Sequence, residues 1–276
     1  MIKNNYFSFE RFSLLLKKDF MESWKTILLR FVTLYAVLAV VFCFLCYKNC
    51  QFEMILAGAE NNVRYLGFTL FLFFGFGCIF ASSMMEKMQS KTKRISYLMT
   101  PATSFEKYFS GFIQVVVLFI VAFFIAFKLA DFTRVAIFSI CYPSLDIISI
   151  DLKYLVPKNG ELFNSWQALL VGFSIYLFYQ SLFVLGSTLW YKKPFIKTIA
   201  AGVVIYLIFI TINGTLIHFL FPNNMFGFFD AIRYCNITFD EMSTLRNITI
   251  LFSCLTLFNW IMAYFRFKES EIINRI

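Results

Sequence analysis

Tyr108–Phe127 reads YFSGFIQVVVLFIVAFFIAF, with no charged residue anywhere in it. That is the length, ~20 residues, that a helix needs to cross the hydrocarbon core of a bilayer. In lipid every backbone N–H and C=O must be satisfied within the segment, so the run folds as a helix. Five more stretches repeat the pattern: Phe31–Tyr47, Tyr65–Ser82, Trp166–Leu189, Ile199–Phe221 and Asn247–Phe265. The chain therefore reads as an all-α polytopic membrane protein, with six transmembrane helices forming a single transmembrane domain over residues 1–276.

Composition agrees. With 60% hydrophobic residues, 15% charged residues and a mean hydropathy of +0.72, the chain lacks the polar surface a soluble fold requires. Its 39 Phe suit lipid contact and helix packing. Six spans and their connections use up most of the length, so a soluble domain of ordinary size, ~100–150 residues, has no room.

The net charge of +9 is distributed by loop. Lys3, Arg11, Lys17, Lys18, Lys25 and Arg30 precede the first span. Lys87, Lys91, Lys93, Arg94 and Lys107 occupy the second connection. Lys192, Lys193 and Lys197 fall in the fourth, and Arg266, Lys268 and Arg275 in the tail. One side of the membrane thus holds 17 of the 25 basic residues, while the other connections hold 8, offset by 9 acids. By the positive-inside rule both termini are cytoplasmic, and the protein is expected in the cytoplasmic (inner) membrane. This pattern records orientation, and no nucleic-acid partner is expected.

Ahead of the first span, residues 5–25 read as an amphipathic interfacial helix. Phe9, Phe12, Leu16, Phe20 and Trp24 recur at helical spacing, with basic flanks. An ordinary cytosolic helix packed on a neighbour has the same pattern. Cys43, Cys46 and Cys50 share one helix face, but the sole His is His218, so they read as small packing residues rather than a metal site. Cys50 with Cys141 or Cys235 is an open choice for an external disulfide. The external segment 128–161 contains the apolar stretch Val135–Tyr142, too short to span and read as an outer-surface or partly re-entrant piece. A second apolar patch, Met225–Phe229, lies in the last external connection.

The most informative connection is Ser82–Phe112, SSMMEKMQSKTKRISYLMTPATSFEKYFSGF. A charged segment through Glu86, Lys91, Lys93 and Arg94 leads to an apolar patch at Ile95, Tyr97, Leu98 and Met99, broken at Pro101. A new helix starts at Thr103, whose hydroxyl caps it while Glu106 reaches back, as in a capping box. The result is a bent helical elbow, charged around an apolar knob, suited to docking a soluble partner.

This loop resembles that of ABC-2-type permeases, the membrane subunits of one class of ABC transporter. Glu86, Arg94, Leu98, Pro101, Thr103 and Glu106 follow that family's course of charged helix, hydrophobic patch, Pro, Ser/Thr and helix into the next span. The usual acidic-Gly-Thr element is replaced here by Gln89–Lys93. The resemblance covers the whole chain as architecture and this loop as sequence. It implies docking of a separate cytoplasmic ATPase on Glu86, Lys91, Lys93, Arg94, Leu98, Pro101, Thr103 and Glu106. It also implies export as the activity, and a second permease copy or homologue to complete the pathway.

Motifs for chemistry are missing. No G-x-x-x-x-G-K-[ST] phosphate loop and no H-E-x-x-H zinc motif occurs. No Asp, Glu, Lys or Arg stands near the middle of an assigned span, which argues against ion coupling. The chain is expected to be no enzyme and to bind no cofactor or metal. Its interior polar residues, notably Gln114, Gln180, Ser187, Asn213 and Asn259, suit either interhelical hydrogen bonds or a weakly polar pathway for an amphiphile. Beside the permease reading stands a second, a non-transporting scaffold or sensor anchor that holds a partner on the same elbow.

Overall fold

The computed structural model describes residues 7–51, 58–143, 148–155, 162–163, 165–190, 192–220 and 241–273. These are helical throughout their regular structure, without a strand. The order is α1 (Phe9–Gln51), α2 (Gly58–Ser82), a 3-10 turn (Glu86–Met88), α3 (Lys91–Leu98) and α4 (Ser104–Phe112). A π-helical turn (Ile113–Val117) and α5 (Leu118–Cys141) follow, then a 3-10 turn (Leu152–Leu155), α6 (Trp166–Leu189), α7 (Pro194–Leu220) and α8 (Glu241–Ile273). Six helices are long and apolar enough to cross a membrane, as the sequence predicts. Met225–Phe229 and Cys235 fall outside the described residues, as does the His218 side chain.

Two elements run longer than their apolar content indicates. The expected interfacial helix over 5–25 and the first span are one unbroken helix of 43 residues. No Gly or Pro occurs between Phe9 and Gln51 to interrupt the hydrogen-bond ladder. At ~1.5 Å per residue α1 is about 65 Å long, roughly twice the hydrocarbon core. Its first half therefore continues the axis of the span. Phe12 and Leu15 are buried, Phe12 against Phe109 of α4, while Phe9, Phe20 and Trp24 of the expected apolar face are exposed.

The third span likewise continues past Phe127. Residues 104–141 form a single helical rod, and Val135–Tyr142, expected as a separate surface piece, is its last two turns and C-cap. The charges at Lys128, Asp131 and Arg134 do not end the helix because each finds a partner on it or against it. Asp131 Oδ1 accepts from Arg134 Nε at 3.1 Å and Nη2 at 2.7 Å, and Oδ2 accepts from the Ile150 N–H at 2.9 Å. Arg134 Nη2 also donates to the Ile148 carbonyl at 2.8 Å and its guanidinium lies 4.8 Å from the Tyr65 ring centre. Lys128 Nζ donates to the Ile150 carbonyl. This buried clamp folds residues 148–155 back over the bundle and seats Ile150 in the core.

The core is aromatic. Phe42 of α1 meets Tyr65 of α2 and Phe127 of α5 edge-on, at 5.8 and 5.7 Å. Phe73 lies against Phe119, Phe123 and Tyr176. α1 packs along α5, α2 along α6, and α6 along α8. At Gly77 the Tyr176 ring sits where a side chain would begin, since an added Cβ would lie 2.7 Å from it. α7 touches α6 and α2 near its start, where Thr198 occupies the space above Gly186, and then projects away with residues 203–212 exposed.

Gly77→Ala should destabilise the bundle by about 1–3 kcal/mol, because the buried Tyr176 ring has nowhere to go. Gly75→Ala on the same helix, with nothing within 4 Å of its added Cβ, should be close to neutral. Paired melting curves in detergent check this. Asp131→Asn should cost about 3 kcal/mol by leaving Arg134 without its counter-charge, and should speed hydrogen exchange in residues 148–155.

Candidate functional site

The elbow between α2 and the third span is built from short local signals. Ser90 Oγ accepts from the Lys93 N–H at 3.3 Å and starts α3. Thr103 Oγ1 accepts from the Glu106 N–H at 3.3 Å, and Glu106 Oε2 accepts from the Thr103 N–H at 3.0 Å. The capping box read from the sequence is thus present. Between the two caps the chain turns at Pro101, and Lys107 Nζ donates to the Leu98 carbonyl at 3.2 Å, closing the C-terminus of α3 onto α4.

Glu106 does more than cap. Its carboxylate is fully buried and also accepts Arg11 Nε and Nη2, each at 2.7 Å, and the Ser8 N–H at 2.9 Å. It lies just ahead of the apolar run that starts at Tyr108. Burial raises the pKa of this carboxyl, but the hydrogen bonds from Arg11, Ser8 and Thr103 outweigh it and bring it down to about 2. Because the folded-state pKa is depressed, its contribution is present above the ordinary carboxylate range and is lost only as pH falls toward 2. The contact therefore stays charged at any physiological pH.

Two further ion pairs extend the seam along α1. Asp19 Oδ1 accepts from Lys87 Nζ at 2.5 Å, and Oδ2 accepts from Ser110 Oγ at 2.6 Å. Arg30 pairs with Glu86. Spaced along one face of α1, Arg11, Asp19 and Arg30 meet α4 and the 3-10 turn, with Phe12 against Phe109 between them. From the other side α8 closes on the elbow. Trp260 lies edge-on to Phe112 at 4.9 Å, and the Trp260 carbonyl accepts from Tyr108 Oη at 3.0 Å.

These contacts sort the residues read as partner-docking. Glu106 and Thr103 are internal cap and seam, and Glu86 is tied to Arg30. Arg94 turns back, donating Nε and Nη2 to the Met88 carbonyl at 3.1 and 2.9 Å. Leu98 and Tyr97 pack inward on the cluster around Met88 and Phe267. Lys91 opens α3, and its side chain is outside the described residues. Of the docking residues and the apolar knob, those that face solvent are Ile95 (58% exposed), Met99 (79% exposed), Lys93 and Pro101. Half of the apolar knob faces in and half faces out.

The polar residues read as interhelical or pathway-lining do not converge on one site. Asn259 Nδ2 of α8 donates to Ser181 Oγ of α6 at 2.9 Å, a bond across the bundle. Ser187 donates to the Val184 carbonyl of its own helix, and Asn213 to the Phe209 carbonyl on exposed α7. Gln180 is fully buried, and neither amide atom hydrogen-bonds to a described residue. Gln114 stands in the π-helical turn, where an extra residue bulges the ladder, and its buried Nε2 has no partner among the described residues.

Asp19, Arg11 and Lys87 as a seam, and the Asp131–Arg134 clamp, are absent from the sequence reading. A signal for each exists. Asp19 continues the stripe of Phe12 and Leu15 at helical spacing, an acid on a buried face. Asp131 and Arg134 are opposite charges three apart, inside a periodic apolar run that resumes at Val135.

With the geometry in place, comparison with known proteins adds no identification. No protein-family model, curated protein or solved structure matches this chain.

Arg11→Ala should lower the melting temperature, because it leaves the buried Glu106 carboxylate short of two donors, and should expose the first two turns of α1 to protease. Glu106→Gln should do the same, and the double variant should cost little more than either alone.

Proposed function

We propose that the chain is the membrane-spanning permease subunit of an ATP-driven ABC-2-type transporter, an exporter whose motor is a separate ATPase docked on the tip of the elbow. The observation that carries this reading is the division of the elbow into an exposed apolar tip and a locked base. Ile95 and Met99 offer a partner a small apolar surface. Arg11–Glu106, Asp19–Lys87 and Arg30–Glu86 join the base to α1.

A load applied at the tip acts on α4, which continues through the π-helical turn into α5, and on α1, which continues through the bilayer. Both spans then move with the docked partner. In this reading the elbow and both termini face the cytoplasm across the inner membrane, consistent with the basic residues gathered on that side. ATP is hydrolysed by the partner, and a second copy or a homologue completes the pathway. The interior of the spans has few polar groups, which suits an amphiphilic cargo.

The test is co-purification in mild detergent with an ATPase encoded beside the gene, followed by ATP hydrolysis. Ile95→Asp and Met99→Asp should each lower the stimulated hydrolysis about tenfold or more, the equivalent of losing one buried apolar contact, with the chain's own melting unchanged. If no ATPase co-purifies, the reading fails and the scaffold, holding a non-hydrolysing partner on the same tip, replaces it.

A further inference from the structure

A cavity of about 480 Å³ lies between α1, the end of α2 with its following turn, and the third helix from Gly111 to Ile125. Its lining changes character along its length. Toward the bilayer centre it is bounded by Leu34, Leu118, Phe119, Val121, Ala122 and Ile125. Toward the elbow it is bounded by Glu22, Arg30, Glu86, Lys87 and Lys93. The change occurs at Arg30–Phe31, where the apolar run of α1 begins, so the cavity straddles the boundary between headgroups and acyl chains. Val121 and Ile125, each half exposed, leave it open sideways to lipid.

Two features say what would fill it. From Gln114 to Ile125 the third helix rises about 16 Å at ~1.5 Å per residue, room for much of one acyl chain. At the rim Arg30 and Lys87 are already paired, with Glu86 and Asp19, whereas Lys93 and Glu22 form no ion pair with any described residue. An unpaired cation and an unpaired anion on one rim match a headgroup that carries both charges.

We infer that this cavity is a binding site for one zwitterionic, amine-bearing phospholipid of the leaflet on the elbow side. Its phosphate meets Lys93 and its amine meets Glu22. One acyl chain lies along Leu34, Leu118, Val121 and Ile125. Because its wall is made by α1 and the third helix, and its rim by the seam, an occupant braces the seam from the membrane side. The inference does not depend on any ATPase, and its failure would leave the proposed function standing.

Native mass spectrometry on the delipidated full chain in detergent, titrated with palmitoyl-oleoyl phosphatidylethanolamine, tests it. The wild type should hold one lipid well before others add. Val121→Trp, which fills the apolar end, and Lys93→Glu should each bind about tenfold more weakly. Val204→Trp, on the exposed face of α7, should bind as the wild type does. Lys93 is exposed, so a loss there cannot be ascribed to misfolding. Phosphatidylglycerol, which lacks the amine, should bind more weakly than the ethanolamine lipid. A statistical ladder of lipids with no tightly held first one, or equal binding by the two cavity variants and the wild type, would overturn the site. Equal binding of the two headgroups would overturn its zwitterionic character.

Discussion

A carboxylate removed from water has to be surrounded by donors, and at Glu106 four are supplied from two distant parts of the chain. Arg11 and Ser8 come from the start of α1, and Thr103 from the cap of α4. Neither element satisfies the charge alone, and a buried unpaired carboxylate costs several kcal/mol. The elbow therefore keeps its shape only while α1 lies along it. Much else follows from that constraint: the path of α1 into the elbow, the burial of Asp19 between Lys87 and Ser110, and the inward turn of half the apolar knob.

At the opposite end of the same two helices, Asp131 and Arg134 apply the same rule to residues 148–155. Between these polar ends lies an aromatic core centred on Phe42, Phe119 and Tyr176. The bundle is thus tied at both ends by charge and filled in the middle by rings. α7 contributes little to either. Its exposed length marks it as the span that lipid or another chain must cover, in keeping with the apolar solvent a bilayer provides.

The number and type of the spans were legible because the apolar requirement of lipid is written into consecutive residues. Trp166–Leu189 matches α6 end to end for that reason. The capping box at Thr103 and Glu106 was legible because it is a local pattern of four residues. Helix ends outside the apolar runs were not, since charged residues extend a helix as well as end one. Lys128 looked like a terminus, yet the helix absorbed it by pairing. Which face of the opening helix would bury was hidden for a related cause. Phe9, Phe20 and Trp24 give the stronger apolar stripe, but Glu106 selects the face that carries Arg11 and Asp19. The docking residues were read from a linear pattern, and three-dimensional pairing then drew Glu86, Arg94 and Glu106 inward.

The account stands on the first half of α1 and the elbow forming one unit. Hydrogen–deuterium exchange on the full chain in lipid nanodiscs addresses this directly. Amides of residues 12–30 and 104–112 should exchange slowly and together, with protection approaching that of the spans. Fast, independent exchange of residues 12–30, as of a helix merely resting on the membrane surface, would contradict it.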